Sequence, residues 1–386
     1  MTSNEWSVPE SEVLASIREI LDEGRDAVLA TVIGVEGSAY RRPGAKMIVD
    51  DETGALGSIT AGCLEDEVFE LASEVLADGS PRVETYDLME DEDDVWGLGV
   101  GCNGIIDILL EPLDASYEPA IEAIEANERI GVITVVDGDE ATTGSRAYYR
   151  PGEGLTVETG TFPNWLLDAL ADPAATLVED GGSDTIRIET EAGSAEVFID
   201  GLEPAPELVV LGTGHDVGPV VELGAKNDFR TTVIGFRGAA DLEDRFPHAD
   251  AIKRTSPANL ADIHDFGPDT YVVVMTHNFI DDRLAIDALV DTDVAYIGLM
   301  GPHDRFEEML EDFAEEGRTF TEDELDRIYT PIGIDLGGGS PYQIATSIVA
   351  EVLAVANDRT PKHLRVREGP IHDRVTVEAA NPEVSD

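Results

Sequence analysis

An apolar strand at Leu208–Leu211 runs directly into Gly212-Thr213-Gly214 and then into a helix starting at Asp216. No other junction constrains the fold as strongly, because strand, glycine turn and helix in this order begin a parallel sheet covered by helices. Further strands are expected at Thr231–Ile234, Tyr271–Met275 and Val294–Ile297, and helices at Asp216–Ala225, Asp281–Leu289, Arg305–Glu315 and Pro341–Ala356. This regular alternation predicts a Rossmann-like, doubly wound parallel sheet. Amides at such a turn face a phosphate, which makes Gly212, Gly214, His215 and Gly218 candidate nucleotide contacts. The fingerprint is imperfect: Val217 stands where a third glycine is expected, and Gly218 comes one later. The second strand ends in Gly235-Phe236-Arg237 instead of the acid that holds a ribose hydroxyl, so Arg237 is a candidate for a phosphate. The alternative is a glycine turn that only packs helix on strand.

The first half reads differently, as a mixed α+β domain. A helix is expected over Glu10–Leu21, strands at Ala27–Ile33, Ala45–Val49 and Ala55–Ile59, and an amphipathic helix over Cys63–Leu76. Strands at Arg82–Tyr86 and Ile105–Leu110 follow, then mixed structure ending in the alternating runs Thr185–Thr190 and Ala195–Ile199. Pro204 and Pro206 interrupt the chain ahead of Leu208, which places the boundary between domains 1–203 and 204–386. No internal repeat is recognisable, and the tail beyond Pro361 is expected to pair loosely or fray.

The 25 Lys+Arg against 81 Asp+Glu give a formal charge of −56. Such a field repels nucleic acid and anionic membrane, so neither is expected as a partner. An acid-rich chain with only four lysines (Lys46, Lys226, Lys253, Lys362) suits a high-salt, halophilic cytoplasm, where screening removes self-repulsion. With no signal peptide and no apolar run of about 18 residues, a cytoplasmic protein is expected. Cys63 and Cys102 cannot build a disulfide scaffold, and no CxxC or HExxH spacing exists, so no metal site is expected.

Several loops carry chemistry. Arg41, Arg42 and Lys46 fall within six positions of a Gly/Ser loop that also holds Ser38, in a chain that elsewhere avoids positive charge. This island suits an anionic or phosphorylated ligand, or else pairs with neighbouring carboxylates. In Gly57–Glu65, glycines and hydroxyls lead into a helix and put Gly62, Cys63 and Glu65 at its start. Helix N-termini lower thiol pKa values and attract anions, whereas a lone cysteine is also often a small buried hydrophobe. The glycine-rich loop 97–104 would let Gly101 and Cys102 approach a ligand closely. Thr276 and His277 follow the strand ending at Met275, where α/β sheets place their ligand crevice, although His277 has no evident acid–base partner in sequence.

Taken together, these motifs resemble the XdhC/CoxI family, the accessory proteins of xanthine dehydrogenase and related molybdenum hydroxylases. The resemblance rests on Gly-Ser-Ala-Tyr-Arg-Arg-Pro-Gly-Ala-Lys-Met (37–47), Gly-Ser-Ile-Thr-Ala-Gly-Cys-Leu-Glu (57–65) and Gly-Leu-Gly-Val-Gly-Cys-Asn-Gly (97–104). It continues through Leu-Gly-Thr-Gly-His (211–215), Val-Met-Thr-His-Asn (274–278), Tyr-Ile-Gly-Leu-Met-Gly (296–301) and Pro-Ile-Gly-Ile-Asp-Leu-Gly (331–337). It implies an XdhC-type N-terminal domain followed by a Rossmann domain. It also implies binding of molybdenum cofactor (molybdopterin), its protection during sulfuration, and delivery to a xanthine dehydrogenase, aldehyde oxidase or CO dehydrogenase-type apoenzyme. A cysteine desulfurase as sulfur donor and a homodimeric state belong to the same expectation, with Cys63 and Cys102 near the metal or its sulfur. The Rossmann domain would take a dinucleotide or other nucleotide. Two other readings are an NAD(P)-dependent oxidoreductase with His277 as proton donor, and a ligand-free protein adaptor.

Overall fold

A computed structural model describes residues 6–37, 39–50, 54–88, 104–236 and 242–368. The chain divides into two compact units, with the break between Pro204 and Ala205.

The first unit opens with α1 (Glu10–Glu23), whose Val13, Ile17 and Ile20 recur at helical spacing and are buried. Gly24 ends it in the left-handed conformation (φ 64°), with its N–H reaching back to Ile20 and Leu21 carbonyls. Strands β1 (Ala27–Gly37), β2 (Lys46–Asp50), β3 (Gly54–Gly57), β4 (Arg82–Asp87) and β5 (Gly104–Pro112) form an antiparallel sheet in the order β3-β2-β1-β5-β4. Helix α2 (Glu65–Asp78) packs its apolar stripe against this sheet.

Helix α3 (Glu118–Glu125) begins a second round: β6 (Ile130–Gly138), β7 (Arg146–Arg150), β8 (Gly154–Thr159), α4 (Asn164–Glu179), β9 (Ser183–Thr190) and β10 (Gly193–Leu202). Its sheet order is β8-β7-β6-β10-β9. Element by element this is the first round again, with the same antiparallel pairings. The first unit is therefore an internal structural repeat, which corrects the expectation of none.

Registers confirm the equivalence. Lys46 lies opposite Thr31 and Arg146 opposite Thr134, while Glu111 lies opposite Leu29 and Asp200 opposite Val132. The turns agree as well. Gly44 (φ 96°) and Gly144 (φ 81°) take the same left-handed step, and each donates its N–H to the equivalent valine carbonyl, Val32 or Val135, at 2.8 Å.

The second unit is a parallel six-stranded sheet of β11 (Glu207–Leu211), β12 (Arg230–Gly235), β13 (Ala251–Arg254), β14 (Thr270–Val274), β15 (Tyr296–Leu299) and β16 (Ile328–Tyr329). The order β13-β12-β11-β14-β15-β16 is the Rossmann arrangement, with its topological switch between β11 and β14. Helices α5 (Val217–Ala225), α6 (Leu242–Arg245), α7 (Leu260–Ile263), α8 (Phe279–Val290), α9 (His303–Glu315), α10 (Glu322–Asp326) and α11 (Pro341–Ala356) connect or follow them. Strands β11, β14 and β15 are buried along their whole length, as expected where helices cover both faces. Two apolar clusters, one around Val210 and Val349 and one around Val272 and Met309, lie on opposite faces of this sheet. Ser340 and Gln343 form a capping box at the start of α11, with Pro341 in its first turn. Among the described residues no helix is long and apolar enough to cross a membrane.

Candidate functional site

Strand register brings three separated motifs to one end of the first sheet. Gly37 stands opposite Gly104, Asp87 opposite Ile105, and Met47 opposite Gly57. The β1–β2 turn, the β3–α2 loop and both flanks of the β4–β5 connection thus open at the same edge. Ser38, Gly101 and Cys102 lie outside the described residues.

In the first loop Tyr40 is 65% exposed, and Arg41 pairs with Glu10 of α1. Arg42 is half-buried, and its Nε is buried without a hydrogen-bond partner. Lys46 departs from its sequence reading as a cation open to ligand. It is 4% exposed, with Nζ 2.6 Å from Asp200 Oδ2 and 2.7 Å from the Gly44 carbonyl. Its charge is neutralised inside the unit, leaving the two arginines as the loop's cations near solvent.

The second loop is held by Thr60 and Glu65, both buried. The Thr60 N–H donates to Glu65 Oε1 at 2.8 Å and its hydroxyl to Oε2; Cys63 N–H donates to Thr60 Oγ1 at 3.0 Å. Leu64 N–H reaches Glu65 Oε2 at 3.1 Å. These bonds correct two expectations. Helix α2 begins at Glu65 instead of Cys63, and the Cys63 amide is already used, so it does not await an anion. Glu65, Asp66 and Glu67 make the first turn of α2 acidic, which further opposes an anion there. Gly62 takes φ 104°, and a Cβ there would meet open space, so backbone conformation selects glycine. Cys63 is half-buried against the apolar cluster of the first sheet.

Two cavities flank this edge. One, of about 510 Å³, is lined by Trp6, Tyr40, Arg41, Ser58, Thr60 and Gly62, among others. The other, of about 650 Å³, lies on the seam between the two sheets and includes Arg41, Arg42, Lys46, Ser183 and Asp200. Tyr40 and Arg41 line both. Sequence reasoning missed Trp6, Tyr40, Ser183 and Asp200; only Tyr40, lodged in the basic island, carried a signal.

The second copy is plainer at the corresponding edge. Its turn reads Ala141-Thr142-Thr143-Gly144 where the first has Arg41-Arg42-Pro43-Gly44. Residues 160–163 replace the longer 58–64, and Glu191-Ala192 alone replace 88–103.

In the second unit, a Cβ on Gly212 (φ 146°) would meet the Met275 carbonyl oxygen at 2.5 Å, so the glycine lets the ends of β11 and β14 approach. The Asp216 carboxylate folds back over Gly214, where an added Cβ would lie 2.3 Å from Oδ1. Asp216 Oδ2 is 2.8 Å from His277 Nε2, which supplies the partner that the sequence did not reveal. His277 holds φ 57°, an uncommon conformation for a residue other than glycine. Thr276 bonds Asp282 through its N–H and hydroxyl, and Arg305 ties Asp282 to the Met300 carbonyl. Arg245 of α6 donates to the Thr213 carbonyl at 2.6 Å. His215 is exposed and Gly218 faces open space, while Arg237 lies outside the described residues.

Comparison with known proteins agrees with this architecture. Residues 20–87 match the XdhC and CoxI family, and residues 208–352 match the XdhC Rossmann domain. The chain is 29% identical to a probable xanthine dehydrogenase subunit of Bacillus subtilis (strain 168) over 338 residues, covering 86% of this chain and 94% of that one. It is 21% identical to the molybdenum cofactor insertion chaperone PaoD of Escherichia coli (strain K12) over 338 residues, covering 87% and 86%. A crystal structure of a xanthine dehydrogenase from Bacillus halodurans matches with a TM-score of 0.71 at 26% identity, covering 90% of this chain and 96% of that one. The chain belongs to the XdhC/CoxI family.

Proposed function

We propose that the protein is a maturation factor that binds molybdenum cofactor and delivers it to an apo-molybdenum hydroxylase. One observation carries this reading: the β1–β2 turn, the β3–α2 loop and the flanks of the β4–β5 connection open at one edge of the first copy, where the second copy has no basic turn and only short connections. Relatives named as a cofactor insertion chaperone and as part of a xanthine dehydrogenase support it.

The residues fit such a ligand. The cofactor's phosphate is an anion, and Arg41 and Arg42 bring two guanidinium groups to the larger cavity. Tyr40, which lines both cavities, offers aromatic surface for a ring. When bound, the cofactor would supply a molybdenum–dithiolene centre for the chemistry of the target enzyme. The chain's own task is to hold: the Thr60–Glu65 bonds stiffen the loop, and Cys63 is its one sulfur-bearing side chain. Installation of the terminal sulfur with a cysteine desulfurase as donor, and a homodimeric state, extend the proposal. Mild oxidation of the purified protein followed by pterin fluorescence tests it. Stoichiometric pterin that falls on Arg41→Ala is expected, and pterin no higher than in buffer would refute it.

A second reading, an NAD(P)-dependent oxidoreductase, draws on the Asp216–His277 pair at the switch point, since an aspartate that orients histidine suits acid–base work. Against it, the Asp216 carboxylate covers the glycine turn that a pyrophosphate would need. Calorimetric titration with NAD and NADP separates the two readings.

A further inference from the structure

The two copies of the repeat treat their seams differently. In the second copy, the seam holds Arg146 on Glu111, with Nη1 donating to Ser116 Oγ at 2.8 Å and the guanidinium 5.1 Å from the centre of the buried Tyr117 ring. Tyr148 adds a hydrogen bond from its hydroxyl to the Ser116 carbonyl. An aromatic ring and oxygen acceptors thus fill the space beside the cation.

The first copy has the same ion pair, Lys46 on Asp200, without the filling. Counted back from the left-handed residue that follows each helix, Gly24 or Asn127, Val13 and Leu14 of α1 stand where Ser116 and Tyr117 do, and Leu14 lines the seam. Ile48 takes the place of Tyr148. The seam of the first copy is instead a cavity of about 650 Å³, in the range of small-molecule sites, and Arg42, with its buried unpartnered Nε, lines it.

We propose that this open seam is a ring-binding chamber: it takes an aromatic heterocycle with oxygen acceptors where the second copy uses its own Tyr117 and Ser116. The inference rests on the proposed function only for naming the heterocycle, a pterin. The ring lies beside Arg42 and the Lys46–Asp200 pair, and its acceptor satisfies Arg42 Nε. The smaller cavity under Trp6 and Ser58 does not hold the ring.

Fluorescence anisotropy of neopterin titrated with the full-length protein tests this. Leu14→Tyr returns to the first copy the ring that the second carries, Arg42→Met removes the donor, and Ser58→Phe fills the smaller cavity. Circular dichroism checks that each variant folds, and Arg42→Met keeps the test valid should Leu14→Tyr unfold. Leu14→Tyr and Arg42→Met are expected to weaken neopterin binding about tenfold or more, as for loss of a hydrogen bond to a charged group, with Ser58→Phe unchanged. Loss in Ser58→Phe with the seam variants unaffected overturns the chamber and leaves the functional reading standing. A wild-type protein that ignores neopterin also overturns the chamber; if it releases no pterin on mild oxidation either, the functional reading falls with it.

Discussion

Lys46 Nζ stands 2.6 Å from Asp200 Oδ2, and Arg146 and Glu111 repeat the relationship at the equivalent positions of the other copy. In each pair the cation opens the second strand of one copy and the carboxylate sits near the end of the last strand of the other. Each copy therefore neutralises the buried charge of its twin. Burial pushes the Glu111 carboxyl up, with the Arg146 guanidinium acting in the opposite sense.

Breaking such a pair from one side strands a buried charge. Lys46→Met is expected to lower unfolding free energy by about 3–5 kcal/mol, whereas Lys46→Met with Asp200→Leu recovers most of the loss. Urea unfolding of the four members of the cycle measures the coupling. Equal losses in the single and double variants would show that the pair does not couple the copies.

The Thr60–Glu65 bonds predict a loop held rigid for its chemistry. Thr60→Val removes the acceptor for Cys63 N–H and the hydroxyl donor to Glu65. The expected result is faster amide exchange at Cys63 and Leu64 and faster reaction of the Cys63 thiol with a disulfide reagent, with α2 retained. Unchanged exchange would mean that other contacts fix the loop.

Helices α5 and α11 are joined by Tyr342, whose hydroxyl donates to Glu222. That bond, followed by the one from Lys226, holds the Glu222 carboxyl below its ordinary range. A carboxyl lowered in the folded state contributes stability above its unfolded pKa and loses it as pH falls through the folded value. The destabilisation caused by Tyr342→Phe should therefore be present at pH 7 and fade as pH drops below the ordinary carboxylate range. Thermal melts across that range test it; a pH-independent difference would contradict it.

The charge of −56 predicts dependence on salt. Screening shortens from about 10 Å at 0.1 M to about 3 Å at 1 M ionic strength, so the melting temperature should rise steeply across that interval. A melting temperature that is flat with KCl would remove the high-salt reading.

Legibility in the sequence followed the range of the signals. The parallel sheet of the second unit was readable because Leu208–Leu211 and Tyr271–Met275 are unbroken apolar runs beside a glycine turn. Its edge strands, Ala251–Arg254 and Ile328–Tyr329, were missed because they are short and only partly buried. The repeat escaped notice because its shared chemistry is confined to the Gly44/Gly144 turns and to exchanged charges of unlike residue type. Lys46 read as a ligand cation because nothing local announces Asp200. His277 read as partnerless because Asp216 lies 61 residues away and meets it only across the ends of β11 and β14.

The central claim is that the loops of the first copy, and not those of the second, hold the molybdenum cofactor. Molybdenum per protein chain, measured by inductively coupled plasma mass spectrometry after co-production with the cofactor pathway, tests it most directly. The comparison is wild type against Arg41→Ala/Arg42→Thr/Pro43→Thr, which gives the first turn the sequence of the second. Stoichiometric molybdenum in the wild type and its loss in the grafted variant, with the fold intact, is the predicted result. Equal molybdenum in both proteins, or none in the wild type, would contradict the account.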